Sequence, residues 1–465
     1  MPHDAEWREL HRSIDGEVVQ PDSSDYERVR KPKMLRFHDL RPQAVALCAS
    51  PQDVAATIAF ARRHEMETAI RSGGHSVAGR SSTRGLLVDV TRMNAVSVEA
   101  DVATVGAGVR LGTLEDAMQP FGVTVPSGSS HSVGIAGLTL GGGLGILGRT
   151  YGLTCDHLLE ARVVLANGSV VECDEHHEAD LFWGLRGAGG GTLGVVTSLV
   201  FRTVPAPDVT VFQLTWPFRV APGLIGAWQG WAPNAPGELD ATLRLHMNGD
   251  REQAPTVDLF GAMLGTESEA GDLIDHLVAD SRAEPTSASF RHLSYRDAKR
   301  YLDDLPPGGR SDEPLPEPLA QPAAHLFTKS EFFRRSLPPE TVTSLIGSLL
   351  DRVAHGQIRE VTFTPWGGAY NQVSADAMAF AHRTEQFIVQ HLVSVTPEAS
   401  ATDPRSACAW LRRSWSLVHP WGTGGVYPNF PDPDLDRADA YILGNLDRFL
   451  RIKKAYDPEA FFGFP

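Results

Sequence analysis

Glycine is concentrated in three separated clusters within the first 200 residues, at 73–79, 134–145 and 187–194. Glycine inside a regular helix or strand costs about 0.5–1 kcal/mol relative to alanine, so such clusters need a structural reason. Glycine permits positive φ angles and lets the backbone approach a ligand closely. Successive backbone N–H groups in such loops form an anion-binding concavity, and a pyrophosphate is the obvious anion. The clusters therefore predict loops that converge on one ligand, although a ligand-free, glycine-rich fold would give the same spacing.

The third cluster matches the dinucleotide fingerprint G-x-G-x-x-G at Gly189, Gly191 and Gly194. That fingerprint requires a strand before the glycines and a helix after them. Here a helix-like segment precedes the glycines, and the strand-like VVTSLVFRTV, residues 195–204, follows them. The reversed order argues against a Rossmann domain.

Composition argues against several classes of protein. The net charge of −15 is unfavourable for an extended nucleic-acid surface. No apolar run approaches the roughly 20 residues that span a bilayer, and the charged N-terminus lacks the apolar stretch of a signal peptide. The four cysteines lie far apart and predict neither a disulfide framework nor a metal-ligand pattern. We therefore expect a cytoplasmic protein without a metal, a nucleic-acid partner or a membrane contact.

The chain of 465 residues is long enough for two domains, and its sequence pattern changes near residue 205. Before that point helix-like and strand-like segments alternate, and Ser50 followed by Pro51 is typical of a helix start. Prolines cluster at 204–207 and again at 305–322, where a long surface loop or flexible segment is expected.

Four motifs in order resemble the berberine-bridge-enzyme-like branch of the vanillyl-alcohol-oxidase flavoprotein superfamily. They are RSGGHS (71–76), GIAGLTLGGGLGILGRTYGLTCDHL (134–158), DLFWGLRGAGGGTLGVVT (180–197), and YPNFPDPDLD (427–436) with the amphipathic helix after it. The resemblance covers nearly the whole chain.

The resemblance implies an α+β, two-domain PCMH-type FAD-binding fold. The FAD-binding domain would take residues 1–204. A substrate-binding domain at 205–415 would be inserted, built on an antiparallel sheet flanked by helices. The C-terminal segment 416–465 would return to the FAD domain.

The resemblance also implies that FAD is bound covalently, from a ring nitrogen of His75 to the 8α carbon of the isoalloxazine. The alternative is a loop histidine that only forms hydrogen bonds. The implied cofactor-binding residues are Arg71, Ser72, Gly73, Gly74, His75, Ser76, Gly79, Gly128, Ser129, Val133, Gly134, Gly137, Gly141, Gly142, Gly145, Gly194, Val196, Tyr427, Asn429, Tyr441 and Asn445.

The sequence departs from the family pattern at the second attachment point. Many members carry a cysteine linked to C6 of the flavin, and Ser130 stands at that position. We therefore expect one covalent link, through His75 only, with a more open cleft and a less oxidising flavin. Val133 resembles the gatekeeper beside C4a, where valine is associated with access of oxygen.

A second departure concerns the catalytic base, since removal of a hydride from C–H requires a group that takes the neighbouring proton. Members often show Tyr-x-Asn-Tyr, but here the second tyrosine is replaced by Phe430. Tyr370 and Tyr427 are the candidate bases, and His131 and His382 are weaker ones. For each tyrosine the alternative is a buried side chain with a satisfied hydroxyl.

The predicted function is an FAD-linked oxidase that acts on an alcohol, hemiacetal or amine-like C–H of a small organic molecule, with O2 as acceptor. Trp366, Trp421, Phe430 and Tyr427 would form an aromatic wall for a sugar or a secondary metabolite. The alternatives are a flavin-containing enzyme that catalyses a non-redox cyclisation and a dehydrogenase with another acceptor. A pure binding protein is the least favoured. A monomer or homodimer is expected.

Overall fold

The computed structural model describes residues 2–249, 254–305, 324–397, 404–432, 434–435 and 437–463. Apart from Leu305, the loop predicted at 305–322 lies outside the described residues. The helices are α1 (Asp4–Ser13), α2 (Tyr26–Arg30), α3 (Pro51–Arg63), α4 (Leu111–Met118), α5 (Ile135–Leu140), α6 (Gly148–Tyr151), α7 (Ala179–Leu185), α8 (Ala221–Trp231), α9 (Glu267–Ser281), α10 (Tyr295–Asp303), α11 (Pro339–Leu350), α12 (Pro404–Val418), α13 (Asp439–Ile442) and α14 (Leu446–Tyr456).

The strands are β1 (Glu17–Val19), β2 (Ala44–Leu47), β3 (Thr68–Arg71), β4 (Leu86–Asp89), β5 (Val96–Glu99), β6 (Val102–Gly106), β7 (Val123–Thr124), β8 (Leu158–Val164), β9 (Val170–Cys173), β10 (Val195–Arg202), β11 (Val204–Pro205), β12 (Asp208–Pro217), β13 (Leu239–Asn248), β14 (Thr256–Met263), β15 (Ser287–Ser294), β16 (His325–Phe333), β17 (Gln357–Pro365) and β18 (Phe387–Val395).

The first part of the chain forms two main sheets, one of four strands in the order β1-β2-β4-β3 and one of five in the order β5-β6-β10-β8-β9. As predicted, Ser50 caps α3, where its hydroxyl accepts a hydrogen bond from Asp53 N at 3.2 Å, and Pro51 opens the helix. The third glycine cluster lies between α7 and β10, so the helix–glycine–strand order that argued against a Rossmann domain is confirmed.

The second part is built on one antiparallel sheet of seven strands, in the order β15-β12-β14-β13-β17-β18-β16. One face buries Leu243, Phe363 and Val389 in a core shared with α8, α9, α11 and α12. Because side chains alternate along a strand, the residues between these positions point to the opposite face. That opposite face is turned toward the first part of the chain, since Phe332 and Ile388 on it share a buried cluster with Leu153 and Cys155.

The end of the chain returns to the first core, where Phe449 and Ile452 of α14 are buried. The buried Lys453 Nζ donates to Thr192 O at 2.6 Å, so α14 is tied to the third glycine cluster. The predicted α+β class is confirmed. The domain limits at 204 and 415 stay a prediction. Within the described ranges, no helix combines the length and the apolarity needed to cross a membrane.

Candidate functional site

The three glycine clusters meet at one place. A Cβ on Gly73 would lie 2.2 Å from the backbone nitrogen of Gly134, so the first two clusters are in direct backbone contact. A Cβ on Gly190 would lie 3.9 Å from Gly137 Cα, and Gly189 N donates to Leu140 O at 2.8 Å. The second and third clusters are therefore neighbours as well.

This meeting point contains an open cradle. Gly189 is buried and has a φ of 94°, yet a Cβ built on it would meet nothing within 4 Å. Gly137, which is exposed, lies across from it, and a Cβ on Gly137 would also meet nothing within 4 Å. Protein interiors are close-packed, so a buried glycine that faces open space indicates room for a ligand.

The first cluster offers hydrogen-bond donors to that ligand. Among the residues that the structure describes, the backbone N–H groups of residues 73–77 have no hydrogen-bond partner. Successive free N–H groups form a nest for an anion such as a pyrophosphate. The cradle and the donors together fit a dinucleotide cofactor of the FAD type.

His75 lies in the same loop as these N–H groups. Its Nε2 is 3.0 Å from Ser132 Oγ, while Nδ1 has no hydrogen-bond partner within the described part of the chain. Burial, helped by the charges of Lys33 and Arg110, lowers the pKa of His75 to about 4. The imidazole is therefore neutral at neutral pH, as a nitrogen nucleophile must be.

Several predicted cofactor residues instead hold the loops around the cradle. The buried Arg71 guanidinium donates to the carbonyl oxygens of Ser81, Val29 and Arg30, at 3.0, 2.7 and 2.8 Å. Ser76 Oγ accepts from Arg80 N at 3.1 Å, which closes the end of the first cluster. These two side chains shape the loop.

The predicted residues of the C-terminal segment also bind backbone. Asn429 Nδ2 donates to Leu138 O at 2.9 Å, and Asn445 Nδ2 donates to Ala375 O at 2.7 Å. Tyr441 Oη accepts from the backbone nitrogen of Asp432 at 3.0 Å.

Other predicted glycines and small residues are packed against protein rather than open space. A Cβ would meet the ring of Phe37 at Gly79, the amide of Asn429 at Gly141, the ring of Phe380 at Gly142, the carbonyl oxygen of Ser127 at Gly145 and the side chain of Val163 at Gly194. Ser72 Oγ donates to Ala107 O at 2.7 Å, and Val196 lies in β10, where it pairs with Val163 of β8. Gly74, Gly128 and Ser129 lie beside or between the clusters, and their contacts assign them no role.

Both candidate catalytic tyrosines are buried. Tyr427 Oη accepts from the backbone nitrogens of Gly143 and Leu144, both at 2.9 Å, and from Asn429 Nδ2 at 3.3 Å. Tyr370 O–H donates to Gly145 O at 3.1 Å. Burial raises the pKa of Tyr427 to about 12 and that of Tyr370 well above its ordinary value. These environments favour the alternative of buried tyrosines with satisfied hydroxyls, and the catalytic role stays a prediction.

The two histidine candidates differ in exposure. His382 is buried, stacks on Phe332 with ring centroids 4.4 Å apart, and contacts Tyr441 O through Nε2. Burial lowers the pKa of His382 to about 3, which makes it a neutral structural residue. His131 is half exposed, and its Nδ1 is 2.5 Å from Asp303 Oδ2.

The predicted aromatic wall is wrong in one member. Trp366 and Tyr427 share a buried cluster, and the partly buried Phe430 packs on its edge with its ring 5.0 Å from that of Tyr427. Trp421 instead packs against the core of the seven-stranded sheet, with Arg335 over its ring. Tryptophan at this position is a packing residue, which sequence pattern alone does not distinguish from a site residue.

Sequence reasoning missed a polar row on the face of the sheet that is turned toward the glycine clusters. Phe332 and Tyr427 pack edge to face, which brings β16 next to the loop at 142–144. Ser330 lies two residues from Phe332 on β16 and therefore on the same face of the sheet. The residues in register with Ser330 on the other six strands are all polar as well. The row is Ser287, Thr215, Asp258, Arg244, Thr362, Gln390 and Ser330.

The row has unused hydrogen-bonding capacity. Among the described residues, Ser330 Oγ and Arg244 Nε are buried without a hydrogen-bond partner. Unpaired buried polar atoms are costly, so a polar ligand would find favourable partners there. The alternation of TLRLHM, in which Thr242, Arg244 and His246 share one face, was the available signal.

Both the sequence and the fold of the chain match those of known proteins. The family described as "FAD binding domain" matches residues 42–174, and the family described as "Berberine and berberine like" matches residues 426–465. The FAD-linked oxidoreductase YvdP of Bacillus subtilis is 32% identical, over 92% of this chain and 92% of the relative. Xylooligosaccharide oxidase of Thermothelomyces thermophilus is 30% identical, over 91% of this chain and 86% of the relative.

Among solved structures, glucooligosaccharide oxidase from Acremonium strictum matches with a TM-score of 0.85 and 26% identity, covering 98% of both chains. That protein is described as carrying a 6-S-cysteinyl, 8α-N1-histidyl FAD. The likeness confirms the predicted two-domain α+β fold of the PCMH type.

Proposed function

Because the chain belongs to the berberine-bridge-enzyme-like family of FAD-linked oxidoreductases, we propose that it is an oxidase of a small hydroxylated molecule that passes its electrons to O2. FAD, when bound, supplies the acceptor for the hydride that leaves the substrate C–H. The observation that carries this proposal is the cradle of three glycine clusters beside the neutral His75.

His75 is proposed as the only covalent link to FAD. If Nε2–H donates to Ser132 Oγ, the lone pair lies on Nδ1, which is free to bond to the 8α carbon. Forming that bond removes one proton from the imidazole and one from the 8α methyl group, and the two electrons left over reduce O2 to H2O2. Ser130 cannot form the cysteinyl link that the glucooligosaccharide oxidase is described as having.

The proposed substrate is a polyhydroxylated molecule such as a saccharide. The polar row supplies hydroxyl, amide and guanidinium groups, which suit several substrate hydroxyls. The unpaired Ser330 Oγ and Arg244 Nε support this choice, since an apolar ring would leave them unsatisfied. Two relatives described as oligosaccharide oxidases point the same way.

For the proton acceptor, Tyr427 has the better environment of the two tyrosines. Three N–H donors converge on its oxygen and oppose the burial that raises its pKa to about 12. Tyr370 Oη accepts one N–H, from Gly145 at 3.3 Å, and its O–H donates to Gly145 O, which a phenolate would repel. We expect Tyr427→Phe to lower kcat, while Tyr370→Phe acts on thermal stability. If both variants keep the kcat of the natural protein, neither tyrosine is the proton acceptor, and the half-exposed His131 becomes the candidate.

The experiment that tests the proposal begins with a denaturing gel viewed under ultraviolet light, with His75→Ala beside the natural protein. A fluorescent band in the natural protein that His75→Ala loses is the expected result. Turnover of mono- and oligosaccharides is then followed with a peroxide readout in air and with a dye under argon. Faster turnover with the dye than with oxygen would contradict the oxidase, and flavin released from the denatured natural protein would contradict the covalent link.

A further inference from the structure

One face of α10 contacts the loop that carries the partner of His75. The residue Lys299 is fully buried, and its Nζ donates to Ser127 Oγ at 2.8 Å while it pairs with the Glu115 carboxylate of α4. Ser127 begins the loop that runs to Val133.

The same face of α10 makes a second contact with this loop, one helical turn after Lys299. Asp303 follows Lys299 by four residues, a spacing that places both on one side of a helix. Asp303 Oδ2 accepts from the backbone nitrogen of His131 at 3.2 Å and contacts His131 Nδ1 at 2.5 Å. Ser132, the hydrogen-bond partner of His75, is the next residue along the chain.

We propose that α10 is a positioning element for flavin attachment, in which Lys299 and Asp303 hold residues 127–131 so that Ser132 keeps the ring of His75 in its attachment orientation. The proposal rests on the proposed function, because it takes His75 as the covalent link. α10 belongs to the part of the chain built on the seven-stranded sheet, so the substrate side of the molecule sets the geometry of the cofactor side.

Helix α10 forms two ion pairs with α4, of which Lys299–Glu115 is buried and Arg296–Asp116 is more exposed. The residues outside the buried pair supply control variants. Arg296, on the same face, pairs with Asp116, whose side chain is about half exposed, and such pairs contribute little. Arg300 is exposed, and within the described ranges its side chain forms no hydrogen bond or ion pair. Among the described residues, neither Arg296 nor Arg300 forms a side-chain hydrogen bond or ion pair with residues 127–131.

The test compares Asp303→Ala with Asp303→Asn and the control Arg300→Ala, each expressed as the full chain with FAD. The readouts are the fraction of flavin released by acid denaturation, the time course of attachment, and the flavin absorption spectrum. We expect Asp303→Ala to release part of its flavin and to attach it more slowly. Asp303→Asn should be less affected, because an amide oxygen still accepts from the His131 N–H.

The outcomes separate this proposal from the proposed function. If the natural protein releases all its flavin, the covalent link itself fails. If the natural protein retains its flavin and Asp303→Ala matches it in retained fraction, attachment rate and spectrum, the role of α10 is overturned. Circular dichroism shows whether each variant is folded.

A second variant tests Lys299 without leaving a buried charge unpaired. Lys299→Met combined with Glu115→Leu replaces the buried ion pair with apolar groups of similar size, a change that folds often tolerate. We expect this double variant to fold and to release part of its flavin. Full retention with an unchanged attachment rate would exclude Lys299 as a positioning residue.

Discussion

The lowered pKa of His75 predicts how flavin attachment depends on pH. Only the neutral imidazole has a lone pair for the 8α carbon, so the attachment rate follows the neutral fraction. An ordinary histidine with a pKa of about 6.5 would be about 9% neutral at about pH 5.5, and attachment would slow about tenfold from about pH 7.5. With the pKa at about 4, His75 stays about 97% neutral at about pH 5.5. The rate should therefore hardly change.

The assay uses apoprotein from riboflavin-depleted cells, mixed with FAD at each pH and sampled into denaturant for in-gel fluorescence. Circular dichroism at each pH confirms that the protein is folded. Lys33→Gln is the matched variant, and because burial is the larger cause of the shift, it should retain a nearly flat profile. A slowing of about tenfold at about pH 5.5 would refute the neutral, buried imidazole.

Three further predictions follow from the described residues. Ser130→Cys should add a second link, so that His75→Ala in that background retains bound flavin after denaturation; complete release would contradict the placement of Ser130 beside C6. Val133→Leu should slow turnover with oxygen while leaving dye reduction unchanged, and equal slowing of both would count against the gatekeeper role. His382 and His391 are buried with pKa values of about 3, so unfolding takes up protons, and stability should fall as pH drops below about 6.5. A denaturation midpoint that does not move between about pH 7 and pH 5 would contradict this sign.

The local elements of the fold could be predicted from sequence because their causes are local. Ser50 and Pro51 start α3 through neighbouring backbone groups. An Asn-Gly pair is typical of a hairpin turn, and Asn167-Gly168 lies between β8 and β9, where Gly168 has a φ of 84°. The convergence of the glycine clusters followed from the chemistry of glycine and the order of the motifs.

The contents of the site were less predictable, because they depend on residues distant in sequence. The motif around Tyr427 does not show that its hydroxyl is buried against the N–H groups of Gly143 and Leu144. Likewise, nothing near Lys299 in the sequence indicates that Glu115 will be its partner. Such contacts follow from how the two halves pack, which single-residue patterns do not encode.

The polar row has a consequence for how this enzyme can diversify. Each of its members comes from a different strand, while the neighbouring residues on the same strands fill the core on the other side of the sheet. A replacement at Thr362 or Gln390 therefore alters one proposed contact with the substrate and leaves the packing of Phe363 and Val389 in place. Selection can therefore vary these two positions one at a time, at little risk to folding.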